Sequence, residues 1–324
     1  MTATPTTLVD DLVEGDTRAL ALAISTIEDR RPGYRDLVAR LHHETTGAHV
    51  IGVTGSPGSG KSTLVNRLAE HFRARDESVG IIAIDPSSPY SGGAVLGDRI
   101  RMGAAVGDDD IFVRSMSARG SLGGLSIATA DAVKAMDAAG KDRIIIETVG
   151  AGQNEVDIVK TADTVLVLVP PQSGDAIQML KAGILEIADI FVVNKADLDG
   201  ADRTVRDLVE LIDIAPGSDE GAWEPKIVET VATDGEGIDD LDTTVEEHLT
   251  HLDRSGERAA RDRKRFADEI RTIVRDEIGT IVETEFDHRG GLDELAEAVR
   301  TRETDPYTVA DAVLEPFREQ LEDA

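Results

Sequence analysis

Seven short apolar runs, alternating with stretches of helical spacing, set the architecture open to this chain. The runs are His49–Thr54, Val79–Ile84, Ile111–Val113, Arg143–Ile146, Thr164–Val169, Ile190–Val193 and Lys226–Glu229. They are rich in β-branched residues and nearly continuous rather than alternating. Strands buried on both faces of a parallel sheet read this way. The pattern predicts a doubly wound α/β fold with a mostly parallel sheet over residues 47–250. Before it, Leu8, Leu12, Leu20, Ala23, Ile24 and Ile27 recur three or four apart. Arg31-Pro32-Gly33 breaks that pattern, and a second helix follows through Leu37, Val38 and Leu41. Residues 1–46 therefore read as an N-terminal helical extension. Residues 251–324 read as a charged helical arm, with Phe266, Ile270, Ile273 and Val274 as a narrow apolar stripe and a last helix starting near Asp305-Pro306. Such a stripe packs on another helix, from the same chain or from a second copy.

The first run leads into Gly55-Ser56-Pro57-Gly58-Ser59-Gly60-Lys61-Ser62, which matches G-x-x-x-x-G-K-[ST]. A helix follows, with Thr63 in its first turn. Backbone N–H groups of such a loop wrap a phosphate, and the helix N-terminus adds a favourable field for anions. Lys61 is placed to reach β- and γ-phosphates, and the Ser62 hydroxyl to bind Mg²⁺. Asn194-Lys195-Ala196-Asp197 follows the sixth run. The Asp197 carboxylate can accept hydrogen bonds from guanine N1–H and its 2-amino group. Adenine would leave it unpaired, which makes the selection of GTP over ATP strong. Thr230-Val231-Ala232-Thr233, after the seventh run, is a candidate for the last base-binding loop, through Val231 and Ala232. Glu147-Thr148-Val149-Gly150 ends the fourth run: Glu147 can reach the metal and the Gly150 N–H can sense the γ-phosphate. Asp85 and Asp98 are further candidates for the Mg²⁺ shell. Gln153 is a candidate to orient water, and Lys181 a candidate positive charge for the transition state.

Charge and composition narrow the function further. With 34 Lys+Arg against 63 Asp+Glu the net charge is −29. That argues against a general nucleic-acid binder, which needs a basic surface, and against docking on an anionic membrane. The 26 Arg against 8 Lys, with carboxylates spread along the whole chain, resemble proteins from salt-loving organisms. Self-repulsion at this charge is relieved by salt. The absence of Cys rules out disulfides, thiolate metal sites and cysteine nucleophiles. The seven His, at 42, 43, 49, 71, 248, 251 and 288, form no metal motif. Residues 1–14 lack the basic and apolar regions of a signal peptide, and the longest apolar run, Val165–Val169, is too short to span a bilayer. The expectation is a cytoplasmic protein.

Several longer segments together resemble the MeaB/ArgK GTPases. Asp85-Pro86-Ser87-Ser88-Pro89 with the run Ser91–Met102 resembles a conserved block of that family. Glu147–Glu155 is similar to its switch II, with Ala151 and Asn154 as mild departures, and 170–183 to its extra switch loop. The resemblance covers roughly residues 8 to 320. It implies a GTP-binding and GTP-hydrolysing chaperone of an adenosylcobalamin-dependent acyl-CoA mutase, chiefly methylmalonyl-CoA mutase. Such a chaperone gates cofactor loading and protects the mutase, uses GTP/GDP and Mg²⁺, and forms a homodimer through its helical arm. Three other readings stay open. One is the amino-acid transport ATPase or kinase of the family's older LAO/AO names, against which Asp197 speaks. Another is a nickel-insertion GTPase, against which the lack of Cys and His tracts speaks. The third is a nucleotide-independent scaffold.

Overall fold

The computed structural model describes residues 5–85, 110–117, 122–148, 161–171, 187–214 and 221–322. Seven strands form one sheet: β1 (His49–Gly55), β2 (Val79–Asp85), β3 (Ile111–Ser117), β4 (Arg143–Thr148), β5 (Thr164–Val169), β6 (Ile190–Asn194) and β7 (Lys226–Thr230). Their order is β3-β2-β4-β1-β5-β6-β7, and every pairing is parallel. All seven apolar runs are strands. Side-chain alternation explains why the runs are unbroken. Ile144 and Ile146 of β4 enter the core on one face and Ile145 the core on the other. Val165, Val167 and Val169 of β5 divide from Leu166 and Leu168 in the same way.

The helices cover both faces. α1 (Pro5–Val13), α2 (Thr17–Glu28), α3 (Tyr34–Glu44), α5 (Leu122–Ala138) and α6 (Ala201–Ile214) lie on one side. α4 (Lys61–Arg73) and α7 (Ile238–Ser255) lie on the other. The N-terminal segment holds three helices, not two. The chain turns at Glu14-Gly15, and Asp16 then caps α2, its carboxylate accepting from the N–H of Arg18 (2.7 Å) and Ala19 (3.2 Å). The apolar spacing runs across this turn, so the period hid it. Leu12, Leu20, Ile24 and Leu41 are fully buried in the same core cluster as β4 and β5, so these helices are part of the core.

By contacts the chain divides into Met1–Arg265 and Phe266–Ala324. The start of α8 (Glu257–His288) belongs to the first unit. There Arg261 pairs with Asp189 at 3.1 Å and Arg265 with Asp163 at 2.9 Å. Both acids also cap strands: Asp163 accepts from the Val50 N–H (3.0 Å) and Asp189 from the Val165 N–H (2.8 Å). Burial would raise the Asp189 pKa, but the neighbouring His248 and the Arg261 charge outweigh it and hold the group below the usual carboxylate range. The second unit holds the rest of α8, α9 (Leu292–Arg300) and α10 (Pro306–Glu322), the last capped by Asp305. Among the described residues no helix is long and apolar enough to cross a membrane.

A polar chain crosses the edge of the sheet where the strands begin. Arg143 can only donate, so its bond to His49 Nδ1 (2.8 Å) makes that nitrogen an acceptor. His49 Nε2–H then donates to Thr164 Oγ1 (2.9 Å), and the hydroxyl donates to His248 Nδ1 (2.9 Å). His248 Nε2 faces Asp189 Oδ1 at 3.2 Å. Burial, with the Arg143 charge adding to it against Asp163, lowers the His49 pKa from 6.5 to about 3. A depressed folded value means that the stabilisation is present above pH 6.5 and is lost as pH falls towards 3. Between pH 7 and pH 5 this group costs the fold about 2 kcal/mol. His49→Gln should remove that part of the slope. Urea unfolding of both proteins at the two pH values checks it, and equal slopes would contradict it.

Candidate nucleotide site

The ends of β1, β4, β6 and β7 meet at the head of α4. β1 is the switch point of the sheet, with β4 on one side and β5 on the other, and ligands of such sheets bind beyond the strand ends there. Gly55 closes β1 with φ +143°, and a Cβ on it would overlap the Leu168 carbonyl of β5. Gly60 precedes α4 with φ +97°, and a Cβ there would overlap the Asn194 amide nitrogen. Gly60→Ala should therefore push that amide off the loop. At least about tenfold weaker GDP binding is expected in equilibrium titration.

Several of the side chains named from the sequence lie together here. Lys61, buried, donates from Nζ to the carbonyls of Gly55 (2.9 Å) and Ser56 (3.0 Å). Ser62 Oγ donates to Glu147 Oε1 at 2.5 Å, so two candidate metal ligands from distant parts of the chain touch. Ser59 is fully buried, and its hydroxyl and that of Ser56 have no hydrogen-bond partner among the described residues. Pro57 and Gly58 are exposed, as is Thr63 in the first turn of α4. The buried Thr54 and Thr148 hydroxyls, which end β1 and β4 beside Gly55 and Glu147, pair at 3.0 Å.

The Asn194–Asp197 segment bonds to two neighbouring loops. Asn194, buried, gives its amide N–H to the Ser59 carbonyl (2.8 Å). Its Oδ1 accepts from Thr230 Oγ1 (3.1 Å) and the Ala232 N–H (3.2 Å). It therefore ties the phosphate loop to the loop after β7. Lys195 takes φ +65° and donates from Nζ to the Gly58 carbonyl (2.8 Å). The Asp197 carboxylate is exposed beside them. Val231 and Ala232 are buried, and the Val231 N–H bonds the Glu236 carbonyl (3.1 Å).

Asp98, Gly150, Gln153 and Lys181 lie outside the described residues. So does the side chain of Asp85, whose backbone ends β2 beside β4. Among the described residues no group of three or more His, Asp or Glu side chains could hold a metal ion. Ser62 and Glu147 nonetheless fit a hard cation, because both present oxygen at the head of the loop. A helix N-terminus, a lysine ammonium and a serine–carboxylate pair beside one glycine-rich loop are what a bound polyphosphate with its cation requires. Arg67 of α4 also reaches this site, through the carbonyls of Ala232 and Thr233, and no local pattern marks it.

The family model described as methylmalonyl Co-A mutase-associated GTPase MeaB matches residues 17–287. The chain belongs to the MeaB family. Among its relatives is a protein of Pyrococcus abyssi that carries a GTPase name, 47% identical over 95% of this chain and 96% of its own length. The mouse methylmalonic aciduria type A homolog, named as mitochondrial, is 30% identical over 96% of this chain and 79% of its own. A fused isobutyryl-CoA mutase of Cupriavidus metallidurans matches 64% of this MeaB-family chain at 40% identity, over 19% of its own length. The fold is that of a crystal structure described as a LAO/AO transport system kinase, with a TM-score of 0.73, 22% identity, and coverage of 98% of this chain and 99% of that one.

Proposed function

We propose that this chain is a Mg²⁺-dependent GTPase that serves an adenosylcobalamin-dependent acyl-CoA mutase in the cytoplasm, gating cofactor loading and protecting the mutase. Methylmalonyl-CoA mutase is the first client to test. The observation that carries the partner is the Cupriavidus relative, in which a segment similar to this chain lies within a protein named as a mutase. The family's own description supports the same reading.

In this reading the amides of 55–60 and Lys61 hold the β- and γ-phosphates. Ser62 and Glu147 hold the metal, with Asp85 and Asp98 completing its shell. Bound Mg²⁺ neutralises charge on the phosphate oxygens. Asp197 pairs with the guanine edge, and the Val231-Ala232 backbone lies against the base. Asn194 and Lys195 contribute by fixing the phosphate loop beneath it, as their bonds to Ser59 and Gly58 support. Gly150 senses the γ-phosphate, Gln153 orients the attacking water, and Lys181 adds positive charge. Catalysis of this type is mostly positioning and charge neutralisation. Glu147→Gln should therefore lower GTP turnover and raise the Mg²⁺ concentration needed for half-maximal rate; an unchanged Mg²⁺ requirement would remove Glu147 from the metal site. Co-elution of the chain with the mutase on gel filtration in molar KCl tests the partner directly. Separate elution with GDP, with a non-hydrolysable GTP analogue and without nucleotide would contradict it.

The arm is proposed to form the homodimer. Phe266, Ile270, Ile273, Val274, Ile278 and Ile281 are exposed on α8 at spacings of three and four, a narrow stripe of the kind that seats a second helix. Ile270→Asp with Ile278→Asp should yield monomers by light scattering, and a dimer of unchanged mass would contradict the assignment.

A further inference from the structure

We infer that Arg67 is a positioning residue for the base: it fixes the loop after β7 against the helix that carries Lys61 and Ser62. The inference rests on the guanine reading of Asp197 and of the Val231–Ala232 backbone. Arg67 Nε donates to the Ala232 carbonyl at 3.1 Å, and a terminal nitrogen donates to the Thr233 carbonyl at 2.6 Å. The other terminal nitrogen bonds Glu70 Oε2, one turn along α4, at 2.9 Å. Glu70 thus sets the plane of the guanidinium, and two of its other N–H groups meet two successive carbonyls. A planar fork can do this and a point charge cannot.

Beyond the packing of Ala232 in the apolar core, few other hydrogen bonds among the described residues tie the loop to the rest of the fold. Asp234 N–H and Gly235 N–H bond back to the Val231 carbonyl within the turn itself. The Ala232 N–H goes to Asn194 Oδ1. Ala232 is therefore held by side chains on both sides, Asn194 on its N–H and Arg67 on its carbonyl. Asn194 in turn holds the Ser59 carbonyl of the phosphate loop. The two side chains close a ring that runs from the phosphate loop through Asn194 and Ala232 to Arg67, and back down α4 to Lys61. Arg67 is half-buried and Thr233 exposed, so water can enter where a shorter side chain leaves room and replace the lost bonds without unfolding the chain. What is lost is the position of the loop.

The test is stopped-flow dissociation and equilibrium binding of GDP, ADP and inorganic pyrophosphate to full-length wild type, Arg67→Gln and Arg67→Lys, with melting curves of each. Arg67→Gln should speed GDP release about tenfold, narrow the preference for GDP over ADP, and leave pyrophosphate affinity unchanged. In turnover, KM for GTP should rise far more than kcat falls. Arg67→Lys, able to reach one carbonyl, should fall between the two, and it carries the test if the Gln variant does not fold. GDP release at the wild-type rate, or pyrophosphate affinity lost in proportion to GDP, would overturn the inference. A wild type that binds pyrophosphate but does not prefer GDP over ADP would overturn the guanine reading and this inference with it.

Discussion

Lys61→Ala should lower kcat/KM for GTP by about 10³-fold, the scale of losing a preorganised charge at the site of developing negative charge. Lys61 is buried and its ammonium lies against the Gly55 and Ser56 carbonyls, at the head of the loop. The same contacts give the lysine a share in holding the loop, so the variant needs a melting curve beside its kinetics. Lys61→Arg separates the two roles. A guanidinium can still donate to loop carbonyls, but it does not fit the space of an ammonium. The expectation is a loop that stays folded and a rate that stays low. Hydrolysis at the wild-type rate in Lys61→Ala would remove the site from 55–62.

Asp197→Asn should exchange the base preference, shifting the ratio of GTP to XTP turnover by about 10⁴-fold. The carboxylate offers two acceptors, which match guanine N1–H and its 2-amino group. The amide offers one acceptor and one donor, which match xanthine N1–H and its 2-oxo group. Asp197 is exposed, and among the described residues it has no hydrogen bond or ion pair. Its replacement should therefore leave stability nearly untouched, and the change is read in specificity alone. Competition between GTP and XTP on wild type and variant measures it. A variant that still prefers GTP would move guanine recognition elsewhere.

The fold was legible because its strands are buried on both faces. Continuous apolar runs such as Ile144-Ile145-Ile146 can be satisfied only where both sides of a sheet are covered, and all seven runs are strands. The loop at 55–62 was legible because its chemistry is local in sequence. The turn at Gly15-Asp16 was not, because Leu8, Leu12 and Leu20 keep a helical spacing across it. The site was legible in its parts and not in its wiring. Asn194 stood out as a base-site residue, yet its amide joins Ser59 to Ala232. Arg67 and Thr233 lie far apart in the chain and meet through backbone carbonyls, which have no residue-type signature. His49, Thr164 and His248 carry no motif at all; the register of β1 with β5 and the packing of α7 bring them into line.

The central claim is that this nucleotide site works for an acyl-CoA mutase. GTP turnover in molar KCl, with and without methylmalonyl-CoA mutase from the same organism, tests it most directly. High salt screens the self-repulsion of a net charge of −29. The account predicts a clear rise in turnover when the mutase is added, absent in Lys61→Ala. Intrinsic turnover that no methylmalonyl-CoA, isobutyryl-CoA or ethylmalonyl-CoA mutase changes would contradict it.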